Sequence, residues 1–272
     1  MNFTIDKTQM KYLAIMFMVL DHFAEIVLYS ELHGGGALLN WLHLSVPAAQ
    51  LMYRIFTALG SFTGAVMIYF MVEGYHYTRS FKHYLLRFLI CGIISEPVFL
   101  YAFNYRYQIL NMMFALAISL ITVYVHYHVA KRELKTFLYI ILFLANAFTD
   151  WTSLAVPVTI LLVSAFEPLK DKPGFKLDKR KLKNVWLLSI LYFIATFYVY
   201  TKSWLKSIET AEGMILAAIF ILRFYDGKRK STKNQTSLSK KFHQYLLYAI
   251  YPLHLLIIAV TYNFIIKIIN IS

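Results

Sequence analysis

Lys11-Tyr12-Leu13-Ala14-Ile15-Met16-Phe17-Met18-Val19-Leu20-Asp21-His22-Phe23 is an apolar run with a cation at one end and an acid beside an imidazole at the other. It reads as the body of a membrane helix over about 10–29. Ionisable groups inside such a helix are costly, so Asp21 and His22 stand as functional candidates by default. Lys11 and His22 are separated by about three turns, which sets them within roughly 20° of one face and about 16 Å apart in height. One wall of a bundle then carries a charge at its cytoplasmic edge and a proton-transfer group deep inside.

Working outward, the same greasiness recurs along the chain. Of 272 residues, 59% are hydrophobic and 15% charged, whereas a soluble domain runs about 25% charged. The pattern predicts an all-α integral-membrane protein, a single domain over residues 1–272. About nine spans are expected, near 10–29, 48–73, 82–103, 109–129, 134–150, 152–168, 184–202, 205–224 and 244–268. Cytoplasmic loops fall at about 169–183 and 225–243. The net charge of +13 is the cytoplasmic excess of Lys and Arg that orients membrane proteins, so nucleic acid is not expected as a partner. Lys7, Arg79, Lys82, Lys131, Arg132, Lys135, the cluster from Lys170 to Lys183 and the run from Lys228 to Lys241 share one side. That places the N-terminus in the cytoplasm and the C-terminus outside; rich Lys, Ile and Asn usage points to a bacterial cell membrane. The first apolar run is too long for a signal h-region and is expected to stay as a helix. The single Cys91 lies inside a span and leaves no intramolecular disulfide.

The spans bury few polar residues, and depth sorts them. His22, beside Asp21, falls with Ser95, Glu96 and His254 in the middle or outer half; Asn111 opens the fourth span, Asp150 ends the fifth at its outer end, and Tyr251 lies one turn from His254. Glu73, His76, Arg79, Lys82, His83 and Arg87 crowd the cytoplasmic edge. Glu209 and Glu212 lie one turn apart in the eighth span. Pro252 removes a backbone hydrogen bond and frees the Tyr248 carbonyl, so a kink is expected beside His254. Gly60 and Gly64 permit either close helix packing or a break. Loop 30–47, with Gly34-Gly35-Gly36 and the apolar stretch around Trp41, suits an interfacial or re-entrant segment. No metal site is expected, because no His or Cys pair has ligand spacing in a polar setting. No glycine-rich phosphate loop follows a strand. His22 as base, with Asp21 or Glu25 orienting it, suits deprotonation of an amine or hydroxyl that attacks an activated acyl group. A cationic rim suits the phosphates of coenzyme A.

Several motifs then fall in a recognisable order. They are Lys11…Asp21-His22, Val72-Glu73-Gly74-Tyr75…Thr78-Arg79, Lys82…Tyr84-Leu85-Leu86-Arg87, Ile94-Ser95-Glu96-Pro97, Asn111-Met112-Met113-Phe114 and Tyr251-Pro252-Leu253-His254-Leu255. In these the chain resembles the TraX family, known for the acetylase that modifies the N-terminus of conjugative F pilin. It is also similar to the larger group of membrane acyltransferases that carry a basic residue, ten intervening residues and a His in the first helix. One departure is Gly60-Ser61-Phe62-Thr63-Gly64, where the family has Gly-Arg followed by a Pro-containing stretch. If that Arg touches donor or acceptor, Arg54 or nothing takes its place here.

The resemblance implies an integral-membrane acyltransferase with acetyl-CoA, or another acyl-CoA, as donor and no metal. Its acceptor is a peptide amine, such as a pilin-like N-terminus, or a glycan hydroxyl, and its surroundings are the lipid bilayer. His22 is the catalytic residue, as general base or acyl carrier, and Asp21 orients it. Lys11, His76, Arg79, Lys82 and Arg87 hold the donor. Glu73, Ser95, Glu96, Asn111, Asp150, Tyr251 and His254 line the substrate chamber. The rival reading is a proton-coupled transporter or flippase relaying protons through Asp21, His22, Glu96 and His254, although the paired halves common in transporters are missing from the sequence.

Overall fold

The computed structural model describes residues 4–104, 106, 108–169, 173–227 and 237–269, with the side chains of 237–245 and 247 excepted. Helix α1 (Lys7–Phe23) begins at a capping box. The Asp6 carboxylate accepts from the amides of Thr8 at 2.8 Å and Gln9 at 3.0 Å, and the Gln9 side chain accepts from the Asp6 amide at 3.0 Å. The helix does not stop near residue 29. It passes through a π-helical turn (Ala24–Leu28) into α2 (Tyr29–Gly34) and ends where Gly35 takes a φ of 107°. The loop beyond is folded back as α3 (Ala37–Trp41). Its amides at Leu38 and Leu39 donate to the buried Glu31 carboxylate at 2.8 and 3.3 Å, and Tyr262 donates to the other oxygen at 2.7 Å. Trp41 is 62% exposed, which suits the interfacial reading of this piece.

The long α4 (Val46–Tyr75) is followed by α5 (Phe81–Ala102), α6 (Met112–His128), α7 (Arg132–Asn146) and α8 (Ala155–Val163). A short hairpin comes next, β1 (Phe166–Pro168) against β2 (Phe175–Leu177), antiparallel with Glu167 opposite Lys176. Then come α9 (Lys179–Thr201), capped by Asp178, α10 (Trp204–Ile219) with its own π-helical turn (Phe220–Phe224), and α11 (Ser237–Ile269), which contains Pro252.

Five helices are long and apolar enough to cross a membrane: Lys7–Gly34, Val46–Tyr75, Phe81–Ala102, Lys179–Thr201 and Tyr248–Ile269. The all-α membrane class therefore holds. The helix lengths do not carry nine crossings. The 9 residues of α8 cover only about 14 Å of a hydrocarbon layer about 30 Å thick. The expected span 152–168 is corrected accordingly: its helix ends at Val163, and its last residues form β1. Residues 170–172 and 228–236 of the two expected basic loops lie outside the described residues.

α4 is the hub, packed on α1, α6, α8 and α10. Gly60 and Gly64 serve close packing and not a break, since α4 runs through both. A Cβ at Gly60 would collide with the Asp21 carboxyl, and one at Gly64 with the Trp151 indole. Around this hub Phe62, Tyr69, Trp186, Phe193 and Met214 are fully buried. Outward-facing Ile93, Ile94, Leu187, Leu191, Ile257 and Val260 are exposed, the surface expected where lipid replaces water.

Candidate active site

His22 sits at the end of α1, just before the π-helical turn, a distortion often found at functional sites. Its Nδ1 lies 2.5 Å from Nε2 of His254 on α11, with the two rings 4.8 Å apart and 16° from parallel. Nδ1 of His254 is 2.7 Å from the Ile250 carbonyl. A carbonyl only accepts, so that nitrogen carries a hydrogen. In a neutral His254 the Nε2 lone pair then accepts from His22 Nδ1–H, which leaves Nε2 of His22 as the basic nitrogen. The backbone of α11 thus selects the tautomer of His22 through one intermediate ring. Three residues earlier, Tyr251 places its ring 6.3 Å from that of His22. Pro252 has no amide to offer the Tyr248 carbonyl, and the Cys91 thiol lies 3.5 Å from that oxygen.

α5 and α6 complete the surroundings. The Glu96 carboxylate accepts from the backbone amide of Asn111 at 3.0 Å and from its side chain at 2.7 Å. Asn111 also donates to the Gly92 carbonyl at 2.9 Å and accepts from Met113 at 3.0 Å, capping α6. The Met112 amide donates to the Tyr251 hydroxyl at 3.3 Å. Ser95 turns back on its own helix and donates to the Cys91 carbonyl at 2.6 Å. Asp21 lies against Gly60, within electrostatic reach of Glu25 and Asp150. Asp150 is in turn within reach of Tyr251. Consecutive helical residues point about 100° apart, and it is His254, not Asp21, that holds the His22 imidazole.

The other end of the bundle carries the cations. Glu73, expected in the chamber, pairs instead with Lys7 at 2.7 Å and accepts from the Tyr225 hydroxyl at 2.9 and 3.1 Å. Lys11 lies over the Phe70 ring at 5.9 Å. Arg79 and Lys82 are exposed in the turn before α5 and in its first turn. Arg87 stacks over Tyr84 at 5.3 Å, and its buried Nε has no hydrogen-bond partner among the described residues. His76 is buried against Phe166, with rings 5.6 Å apart and nearly parallel. It borders a cleft of about 280 Å³ lined by Tyr75, Thr78, Tyr124, His128, Leu169 and Pro173. Burial pushes the His76 imidazole down to about 4, so it is uncharged at neutral pH. At the opposite end, Arg54 pairs with Glu209 at 2.7 Å on the exposed surface, and Glu212 is exposed.

The fold therefore unites His22, His254, Tyr251, Asn111, Glu96 and Ser95, with Asp21 and Asp150 beside them. It gathers Lys11, His76, Arg79, Lys82 and Arg87 at the far end, and it separates Glu73 from the chamber. Arg54 does not stand in for the family's missing Arg near His22. Sequence reasoning missed the Lys7–Glu73–Tyr225 cluster, the aromatic cleft and the Cys91 contact. Lys7 falls one turn before Lys11 on the same face, a spacing that signals it.

An all-α membrane bundle with a buried histidine pair on its first and last long helices defines the class. The chain belongs to the TraX family, whose model, described as TraX protein, matches residues 6–261. It is similar to the probable fimbrial assembly protein FimC, serogroup H1, of Dichelobacter nodosus, with 24% identity over 93% of this chain and 94% of that protein. No solved structure matches it.

Proposed function

We propose that this protein is an integral-membrane acyltransferase. It moves an acetyl group from acetyl-CoA to an amine, a peptide or pilin-like N-terminus, or to a sugar hydroxyl. The observation that carries the reading is the hydrogen-bond chain from the Ile250 carbonyl through His254 to His22. It leaves a buried imidazole with one lone pair directed away from its partner, which is what a general base needs. TraX membership and the fimbrial assembly role in the relative's name favour an envelope peptide as acceptor.

The donor approaches from the cationic end. The aromatic cleft beside His76 suits a flat heteroaromatic base, and Arg79, Lys82 and Arg87 suit phosphates. A pantetheine arm then reaches toward His22, about 16 Å beyond Lys11 along α1. Positive charge marks this end as cytoplasmic, so the acceptor is modified near the opposite leaflet.

The test is reconstitution in vesicles of known orientation, with acetyl-CoA on one face and an acceptor on the other. The acceptors are a peptide with a free N-terminus, the same peptide blocked, and an oligosaccharide. Thiol release that needs an acceptor and vanishes in His22→Ala supports the proposal. No thioester cleavage with any acceptor in either orientation refutes it.

A further inference from the structure

We propose that Tyr251 is the oxyanion donor of this transfer, its hydroxyl held and polarised by the first amide of α6. The inference rests on the acyltransferase reading above and adds a role that His22 alone does not supply.

The Tyr251 ring is almost wholly buried, 3% exposed. Its hydroxyl accepts from the Met112 amide at 3.3 Å, and its own O–H has no acceptor among the described residues. A buried hydroxyl used only as an acceptor is half employed. Met112 is the first residue of a 17-residue helix, so its amide belongs to the positive end of the helix dipole. A hydroxyl that accepts from such an amide donates more strongly itself. Capping explains only half of the tyrosine: Asn111 takes the Met113 amide and Tyr251 the Met112 amide, which uses the hydroxyl's oxygen and leaves its O–H unemployed. Position completes the argument. Tyr251 lies one turn before His254 on α11, with ring centres 6.0 Å from His254 and 6.3 Å from His22. An acyl carbonyl in reach of both the Tyr251 hydroxyl and His22 Nε2 meets a hydrogen-bond donor and a base together.

The step balances as follows. The acceptor nitrogen or oxygen forms a bond to the thioester carbon while His22 Nε2 takes its proton. The carbonyl π pair moves onto oxygen, where Tyr251 O–H hydrogen-bonds it without giving up its proton. The carbonyl re-forms, the C–S bond breaks, and the thiolate leaves with the proton returned by His22.

The experiment uses the full chain in vesicles with acetyl-CoA. Tyr251→Phe keeps the ring and removes the hydroxyl. Its kcat is expected to fall about 100-fold or more, the usual cost of one lost oxyanion donor, with KM for acetyl-CoA changed by less than about three-fold. Met112→Pro removes the polarising amide at a position where proline is tolerated, after an Asn111 already extended at ψ 168°. Met112→Ala keeps that amide and controls for the lost side chain. Met112→Pro is expected to be slower than Met112→Ala by about ten-fold, the smaller effect of weakening the donor instead of deleting it. A third readout is the carbonyl stretch of a bound ketone analogue, with a methylene between sulfur and carbonyl. It should lie lower in the wild type than in Tyr251→Phe. Wild-type kcat in Tyr251→Phe, or no difference between the two Met112 variants together with an unmoved carbonyl band, overturns the assignment. If those results come from a protein that turns over, only the Tyr251 role falls. If the wild type cleaves no thioester, the acyltransferase reading falls with it.

Discussion

Lys7 and His22 lie on the same helix, about 22 Å apart along its axis, and each anchors a buried polar cluster. Around Lys7 the buried carboxylate is fully met: the ammonium reaches one Glu73 oxygen, and the Tyr225 hydroxyl reaches both. The neighbouring backbone is tied as well, with the Ile5 amide donating to the Phe224 carbonyl at 2.8 Å. Around His22 valences are left over. Its Nε2 and the Tyr251 O–H have no partner among the described residues, and the Asp21 carboxylate makes no hydrogen bond or ion pair among them. Saturated polar groups hold helices in place. Unsaturated ones are costly to bury, and where several converge they can be completed by a ligand. The π-helical turn following His22 and the one preceding Tyr225 show that local distortion by itself does not tell the two kinds apart; the count of satisfied groups does.

The sharpest way to break this contrast is to exchange consequences. Replacing His22 with Ala should lower acyl transfer by more than about 10³-fold, worth about 4 kcal/mol of barrier, while the protein inserts and melts nearly as before. Steady-state kinetics and a thermal melt on one preparation decide it. A large loss of stability with little loss of rate would make the His22 cluster structural.

The reverse is expected at Glu73. Changing it to Gln removes the charge partner of the half-buried Lys7 ammonium, and the cost stays below the roughly 3 kcal/mol of breaking a fully buried pair. The melt should drop, while the properly folded fraction turns over at the wild-type rate. A kcat loss out of proportion to the folded fraction would return Glu73 to the chamber where the sequence first put it.

The cationic end sharpens the comparison, because Arg79 and Lys82 are exposed and cost little to leave unpaired, whereas Arg87 is half-buried. Charge-assisted hydrogen bonds contribute about 1.5–3 kcal/mol each, so Arg87→Ala should weaken acyl-CoA binding about ten-fold. Arg87 is the best candidate, since Tyr84 holds its guanidinium and its Nε is unpartnered. A titration with unchanged affinity in Arg79→Ala, Lys82→Ala and Arg87→Ala would leave these residues only a topological role.

How far the sequence revealed this arrangement follows from range. Spans are local: hydropathy over about 20 residues marks them, and the long helices emerged with shifted ends. Depth is nearly local, so His22 and His254 were legible as members of one layer. Partner choice is not local. Nothing in the apolar run around Glu73 says that its carboxylate faces Lys7 and Tyr225, because that depends on how α1, α4 and the end of α10 are rotated. The partner of His22 was hidden for the same reason: adjacency in sequence is not adjacency in space on a helix, and the imidazole meets His254 from α11. The hairpin at Phe166–Pro168 hid behind an apolar stretch that periodicity alone could not divide between helix and strand.

The smallest expected effect concerns His76, which the sequence grouped with the cations. Its imidazole is held near 4 by burial, against an ordinary value of 6.5. The groups packed on it are Phe166, Phe175, Tyr75 and Tyr127, none charged at neutral pH. The unfolded chain binds a proton at His76 below about pH 6.5, and the folded protein does so only below about pH 4. Within that window the unfolded state holds more protons, so stability rises with pH and falls as pH drops from about 6.5 toward 4. Above 6.5 both states are neutral and His76 contributes no slope. Melting curves of wild type and His76→Phe across this range should converge or cross as the pH is lowered, and run parallel from pH 7 to 8. Because the ring is uncharged, acyl-CoA affinity should show no contribution from His76 between pH 8 and 6. A wild-type affinity that strengthens through that interval, with the gain lost in His76→Phe, would put a charged imidazole back on the phosphates and make His76 part of the cationic rim.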